Sequence, residues 1–302
     1  MRRIAFVALT LCLSFGQPAF AASFDSLISF GDSLSDTGSG PATPPGYGGR
    51  FSNGPVWEEY LASSLAIPAA STKDYAIGGA TSGTGNVNGT TTGLLTQVSG
   101  FVAAPDHLGS STLYTVWAGG NDAIAAALGG GDPVAAANQA AINIASAITQ
   151  LAGTGAQYFL VPNLPNGGLL PLAAQVGADP TQANLLSLYG NAQLDAALAP
   201  LASALGITIY RADVYTLFQA MVANPAAYGL SDVVDPCKTS SSTCANPDQY
   251  LFWDSIHPTT VVHSFIGQLA LAALPEPEVL ALVVALLALS SRFARTAASR
   301  RG

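Results

Sequence analysis

Ser33 and the later pair Asp254 and His257 are the residues of this chain whose types and spacing suit nucleophilic catalysis. Ser33 follows an apolar run that ends at Gly31, so its hydroxyl is expected at the end of a strand, where a helix starting there would add a positive dipole. Asp254 stands three positions before His257 in one short loop. A carboxylate at this spacing can orient an imidazole and stabilise the cation that forms when the histidine takes a proton from a serine.

Each of these residues also has a simpler interpretation. A serine after a strand is most often a helix cap, and a single Asp-x-x-His pattern is more often an exposed loop histidine than a catalytic one. The other two histidines, His107 and His263, have no comparable surroundings and are expected on the surface. Taken one residue at a time, the simpler interpretations are favoured.

Apolar runs and helical periodicities alternate along the chain and place the candidate residues at strand ends. Strands are predicted over 24–30, 112–117, 157–161 and 206–210, with a weaker strand over 74–77; helices are predicted over 56–65, 93–103, 133–152, 180–205, 214–223 and 259–274. Such alternation predicts an α/β fold, a parallel sheet covered by helices on both faces. Functional residues gather at the carboxyl ends of the strands, where segments 31–33, 78–79, 119–122 and 162–163 fall.

The central part of the chain, residues 22–274, is acidic and has the length of one sizeable α/β domain or two small ones. It holds four basic and sixteen acidic residues, a net charge of −12, which argues against nucleic acid and anionic lipid surfaces as partners. Cys237 and Cys244 lie seven positions apart in a Ser/Thr-rich loop. In an oxidising compartment they predict a local disulfide, and a metal site is disfavoured because no further ligands lie at suitable spacing.

Both ends of the chain carry features of targeting segments. Residues 1–21 combine two arginines, a short apolar run and Ala19-Phe20-Ala21, which predicts a secretory signal peptide; a first core strand or an N-terminal anchor is the alternative. Residues 275–302 combine Pro-Glu-Pro-Glu, an apolar segment over 279–289 and a terminal cluster of arginines expected on the cytoplasmic side. The alternative for this end is an amphipathic helix packed on the domain.

Five short blocks resemble, in their order, those of the GDSL lipases and esterases, a family of the SGNH hydrolases. The blocks are FGDSLSDTG at 30–38, GRFSNG at 49–54, YAIGGA at 75–80, GGND at 119–122 and YLFWDSIHPT at 250–259. The resemblance covers nearly all of the central part. It implies a three-layer α/β/α sandwich with a flavodoxin-like parallel sheet of five strands, and chemistry without a metal or an organic cofactor.

The same resemblance implies a role for each matching residue. Ser33 is the expected nucleophile, His257 the base and Asp254 the acid that orients it. The oxyanion hole is expected to consist of the backbone N–H groups of Ser33 and Gly79 and the side-chain amide of Asn121, with Gly78 as the alternative glycine.

Three aspartates near these blocks have expected structural roles. Asp122 is expected to cap a helix, which leaves Asn121 free, and Asp32 and Asp36 are expected to support the serine loop by hydrogen bonds. The nucleophile does not lie in a Gly-x-Ser-x-Gly elbow, so the ordinary α/β-hydrolase fold is not predicted.

The C-terminal segment resembles the PEP-CTERM sorting tail of Gram-negative bacteria that make extracellular polysaccharide. This resemblance implies export, transient anchoring in the inner membrane by a hydrophobic helix over 279–289, and cleavage by a sorting peptidase, so that the protein ends in the periplasm, the cell envelope or the medium.

Together the features predict a secreted serine esterase or lipase that hydrolyses carboxylic esters through an acyl-serine intermediate. Lipids, short acyl esters and acylated sugars are the candidate substrates, and the tail suggests deacetylation of an acylated polysaccharide. The alternative from another class is a non-catalytic surface or matrix protein that retains the fold.

Overall fold

A parallel sheet of five short strands organises the part of the chain that the computed structural model describes, residues 24–38, 49–103 and 111–275. The strands are β1 Ser26–Gly31, β2 Thr72–Asp74, β3 Thr112–Trp117, β4 Tyr158–Pro162 and β5 Thr208–Ala212. Their order is β2-β1-β3-β4-β5, and every neighbouring pair is parallel. This is the flavodoxin-like order, so the predicted fold class is confirmed.

Helices cover both faces of this sheet. They are α1 Trp57–Ser64, α2 Leu94–Ala103, α3 Gly120–Gly129, α4 Pro133–Ala152, α5 Pro171–Gln175, α6 Pro180–Leu205, α7 Val214–Ala223 and α8 Thr260–Ala272. On one side α4 packs between α2 and α6, and elsewhere α1 packs against α8. A second, two-stranded parallel sheet pairs β6 Asp232–Pro236 with β7 Tyr250–Phe252.

The core explains why the strands were visible in the sequence. All six residues of β1 and of β3 are buried, as expected for central parallel strands that have helices on both faces. Ile28 and Phe30 of β1 pack in one apolar cluster with Phe101 of α2 and Ile148 of α4. Burying one such side chain stabilises the fold by about 1.5–3 kcal/mol. Because every residue of these two strands is buried, each strand appears in the sequence as an apolar run.

The predicted elements differ from the structure at identifiable places. The bounds of α4, α6 and α7 are those predicted, but the weak strand lies at Thr72–Asp74 rather than at 74–77. The bounds of α3 were not predicted, although the expected cap at Asp122 implied a helix there, and α5 and the pair β6–β7 were not predicted at all. Residues 33–35 form a turn closed by the N–H groups of Ser35 and Asp36 on the Asp32 carbonyl, so no helix dipole acts at Ser33.

His263 was expected on the surface, and this prediction was wrong. The side chain is fully buried on the face of α8 that meets α1, and its Nδ1 accepts a hydrogen bond of 3.3 Å from the Trp57 N–H. Burial, together with the charge of His257, lowers the pKa of His263 to about 3. The helical spacing of Val262, Ile266 and Ala270 around it is the sequence signal that could have placed it in the core.

Several predictions fall on residues outside the described ranges. They are the signal peptide at 1–21, the tail at 275–302 except for Pro275, with its apolar segment 279–289, and the surface position of His107. Among the described residues, none of the helices combines the length and the apolar character that crossing a bilayer requires.

Candidate active site

The structure brings Ser33, His257 and Asp254 into one chain of hydrogen-bond contacts. The Oγ of Ser33 lies 2.7 Å from Nε2 of His257, and the Nδ1 of that ring lies 2.9 Å from both carboxylate oxygens of Asp254. Ser33 follows β1 directly, and Asp254 and His257 lie in the loop between β7 and α8. Ser33 and His257 are 224 positions apart in the sequence, and the packing of the sheet and of the last helix brings them into contact.

The loop itself holds Asp254 in place. Its Oδ1 accepts hydrogen bonds from the backbone N–H groups of Ile256, at 2.9 Å, and His257, at 2.8 Å. Burial alone would raise the pKa of the Asp254 carboxyl, but the hydrogen bond and charge of His257 and the two backbone donors hold this pKa below its usual value. The carboxylate therefore stays ionised next to the imidazole.

Gly78 and Gly79 are the two candidate glycines for the oxyanion hole, and their N–H groups differ in their hydrogen bonds. The Gly78 N–H is already donated to the Asp36 carboxylate at 2.8 Å. The Gly79 N–H makes no hydrogen bond within the described part of the chain. Gly79 has a φ of +78°, and a Cβ there would lie 2.7 Å from Oδ1 of Asn86, so both backbone conformation and space require glycine.

Asn121 lies in the first turn of α3 and borders the same cavity as Ser33. Its Nδ2 donates one hydrogen bond of 2.9 Å to the Ala80 carbonyl. A primary amide has two N–H donors, so this bond fixes the side chain while a second donor remains.

The expected role of Asp122 as a helix cap was wrong. The residue before α3 is Gly119, and no side chain caps this helix. Asp122 instead accepts hydrogen bonds from the backbone N–H of Ser82 at 2.8 Å and from its hydroxyl at 2.7 Å. It ties the loop after Gly79 to the start of α3, and so holds the loop that carries Gly79 and the helix that carries Asn121 in one relative position.

The expected supporting roles of Asp32 and Asp36 are confirmed. Asp36 accepts from the N–H groups of Gly38 and Gly78, and Asp32 accepts from the N–H of Leu34 at 3.1 Å. Asp32 is almost fully buried, and this burial raises the pKa of its carboxyl to about 7.

Segment 49–54 supports the histidine loop, a role that the sequence did not reveal. The Phe51 ring lies 5.1 Å from the His257 ring, and the Ser52 hydroxyl donates to the Pro258 carbonyl at 2.9 Å. Asn53 Oδ1 accepts the first free N–H of α8, from Thr260.

A disulfide joins Cys237 and Cys244 on the other side of the histidine loop. The loop that it closes is bonded to the end of β7, because the N–H groups of Cys237 and Lys238 donate to the carbonyls of Phe252 and Trp253. The disulfide therefore holds the chain immediately before Asp254.

Two cavities flank the serine and the histidine. One has a volume of about 180 Å³ and runs from Ser33 and Asn121 between α3, α5 and α6. The other, about 370 Å³, is bordered by Asp254, His257 and the start of the disulfide loop. Beyond Asp32, Ser33 and Asn121, the residues that line the first cavity were not predicted from the sequence, and most of them are small or apolar. Within the described residues, no group of three or more His, Cys, Asp or Glu side chains is placed to bind a metal.

A serine, a histidine and an aspartate in hydrogen-bond contact at the carboxyl edge of a parallel sheet define a serine hydrolase. The family model described as GDSL-like lipase/acylhydrolase matches residues 27–270, and the chain belongs to this family. The predicted class of enzyme, a hydrolase of ester bonds, is confirmed.

The chain is 28% identical to a phosphatidylcholine-sterol acyltransferase of Aeromonas hydrophila, over 88% of this chain and 93% of that protein. It is also 28% identical to the thermolabile hemolysin of Vibrio parahaemolyticus, over 80% of this chain but 62% of the relative's length. Among solved structures, an acetyl xylan esterase matches with a TM-score of 0.49 at 14% identity, over 82% of this chain and 98% of the other.

Proposed function

We propose that this protein hydrolyses carboxylic esters through an acyl-enzyme on Ser33. His257 Nε2 takes the Ser33 proton as the oxygen attacks the carbonyl carbon, and the same proton then goes to the leaving alcohol. Asp254 keeps the imidazole in the tautomer whose Nε2 can accept, and stabilises the imidazolium between the two steps. A water molecule then attacks the acyl-serine while His257 takes its proton. His257 returns this proton to the Ser33 oxygen as the carboxylic acid is released.

The developing oxyanion is held by the N–H groups of Ser33 and Gly79 and by the amide of Asn121. Two observations support Gly79 rather than Gly78 as the glycine donor: the Gly78 N–H is engaged by Asp36, whereas Gly79 has an N–H without a hydrogen bond among the described residues. Asn121 keeps one amide hydrogen free of its bond to Ala80. Hydrogen-bond donors that are fixed before the reaction stabilise the transition state more than mobile donors do, because they need no reorganisation when the charge on the oxygen develops.

The 2.7 Å contact between Ser33 Oγ and His257 Nε2 is the observation that carries this proposal. The test compares Ser33→Ala with Ser264→Ala, because the Ser264 hydroxyl donates to the Val261 carbonyl within α8. Ser33→Ala is expected to abolish hydrolysis of a nitrophenyl ester and labelling by a fluorophosphonate, while Ser264→Ala keeps both. Esterase activity that survives Ser33→Ala, or is absent from the wild type, refutes the mechanism.

Export of this enzyme remains part of the proposal and rests on the two terminal sequences. We expect the mature protein to begin near residue 22 and to lose its C-terminal segment near 275–278. Mass spectrometry of the protein from envelope and medium fractions measures both ends directly. A full-length protein in the cytoplasm contradicts the proposed export.

A further inference from the structure

We propose that the 180 Å³ cavity binds the acyl chain and limits the best substrates to esters of medium-chain acids, of about six to eight carbons. This inference rests on the proposed function of Ser33. It favours lipid-like acyl groups over the acetyl groups of a polysaccharide.

The chemistry of the cavity wall is the first argument. Of the residues that line it, five carry a polar side-chain atom: Asp32, Ser33, Trp117, Asn121 and Ser187. Asp32, Ser33 and Asn121 lie at the reaction centre. The Ser187 hydroxyl accepts from the Gly167 N–H and donates to the Ala183 carbonyl.

Apart from these five residues, the side chains that line the cavity are hydrocarbon. Beyond the reaction centre the lining consists chiefly of alanine, leucine, isoleucine and valine side chains from α3, α5, α6 and the loops beside them. A sugar ring placed there would lose hydrogen bonds to water without replacing them, whereas an alkyl chain gains free energy with each buried methylene.

The volume sets the length of the chain. An apolar cavity of ~150 Å³ in another protein accepts benzene, a molecule of six carbons. The cavity here, at about 180 Å³, has room for that volume and one or two further carbons. Leu128 and Val176 lie at its edge and are 57% and 49% exposed, so carbons beyond the eighth extend past them into water and gain little.

The second cavity indicates which part of the ester lies where. His257 must deliver a proton to the leaving oxygen, and the second cavity is bordered by His257 together with Lys238, Thr239 and Ser240. Its ammonium and hydroxyl groups suit a polar alcohol and the attacking water. We therefore assign the alcohol to the side of the disulfide loop and the acyl chain to the apolar cavity, which is the cavity that includes Ser33.

The first experiment measures kcat/KM for nitrophenyl esters from two to sixteen carbons, and acetate release from an acetylated polysaccharide in parallel. Each buried methylene is expected to raise kcat/KM by up to about fourfold, so the octanoyl ester exceeds the butanoyl ester by up to about 200-fold and longer chains gain no more. A maximum at the acetyl ester, or faster acetate release from the polymer, overturns the inference.

Variants of α3 locate the site. Ala125 and Ala127 are both exposed residues of this helix, but Ala127 lines the cavity and Ala125 does not. Ala127→Phe is expected to lower kcat/KM for the octanoyl ester at least tenfold and to leave the acetyl ester within about twofold. Ala125→Phe should change neither. Equal effects of the two changes, or equal losses on both esters, contradict the assignment of this cavity.

A variant that enlarges the cavity keeps the test decisive even if the variant that fills the cavity folds poorly. Leu170 lines the cavity and is partly exposed, and Leu170→Ala enlarges it by about three carbon atoms. The optimum should move from eight carbons towards ten or twelve. If the optimum stays in place or shortens, the cavity does not set chain length. Loss of all activity in Ser33→Ala, with an unchanged chain-length optimum in the cavity variants, would leave the proposed function intact and sink only this inference.

Discussion

Replacing Asp254 by asparagine separates an orienting role from a merely structural one. In the folded protein Asp254 Oδ1 accepts two backbone N–H groups, and both oxygens lie 2.9 Å from His257 Nδ1. An amide nitrogen cannot accept a hydrogen bond, so the one oxygen left in Asp254→Asn must stay on the backbone donors. The new NH₂ group then faces Nδ1 from the place that Oδ2 holds in the wild type.

This arrangement shifts the histidine towards the wrong tautomer, because the oxygen that also lies 2.9 Å from Nδ1 is already shared with two backbone donors. An NH₂ group that points at Nδ1 favours a lone pair there and moves the proton to Nε2, the atom that lies 2.7 Å from Ser33 Oγ. Nε2 then cannot accept the serine proton. In serine proteases the corresponding change lowers kcat by about 10⁴, which is about 5.4 kcal/mol in activation free energy. KM should change little, since Asp254 does not touch the acyl cavity.

Steady-state kinetics with a medium-chain nitrophenyl ester measure this effect, and circular dichroism checks folding. The matched control is Asp132→Asn, because Asp132 Oδ1 also accepts two backbone N–H groups, at 2.9 and 3.2 Å, but no histidine. That variant should keep the wild-type kcat. If Asp254→Asn retains kcat within tenfold of the wild type, the reasoning from tautomer and hydrogen-bond geometry is wrong.

Three further changes test the remaining parts of the site. Asn121→Ala should lower kcat by about 10²–10³ with KM nearly constant, as removal of one oxyanion donor does; a rise in KM alone would indicate a substrate-binding residue instead. Reducing the Cys237–Cys244 disulfide should lower the free energy of unfolding in urea by about 2 kcal/mol for so short a loop, and identical unfolding curves would contradict this. Burial raises the pKa of Asp32 to about 7, above the ~3.9 of an unfolded chain, so the folded state holds its proton more tightly and stability is lost as the pH rises from about 4 to 7. Asp32→Asn should flatten that fall in a series of urea titrations, and an unchanged slope would mean that Asp32 is ionised throughout.

The elements with strong local patterns were predictable from the sequence. Ala-rich and amphipathic stretches indicated the bounds of α4, α6 and α7, and the apolar runs predicted β1 and β3. The bounds of α3 were not predicted, although its sequence carries a signal. Alanines, the strongest helix formers, stand at 123, 125, 126 and 127 between two glycine pairs. The helix α5 has five residues, too few for a periodic pattern to appear.

The sequence by itself determined which residues form the reaction centre. Ser33, Gly79 and Asn121 lie in blocks that follow strands of the parallel sheet, which brings its strand ends to one edge, whereas Asp254 and His257 follow β7 of the second sheet and were assigned by the resemblance of their block. The roles of these residues therefore came from the resemblance of five ordered blocks to a known family, and the strand-end rule agreed with it for the residues of the parallel sheet.

Only the tertiary structure decided what surrounds this centre. Asp122 bonds Ser82 across 40 positions, His263 is buried against Trp57 across 206, and the acyl cavity is the space left between three helices. Such features depend on the distances between packed elements, and a difference as small as one methylene group changes them. The periodicity of side chains shows which face of an element is buried, but not how far away its neighbour lies.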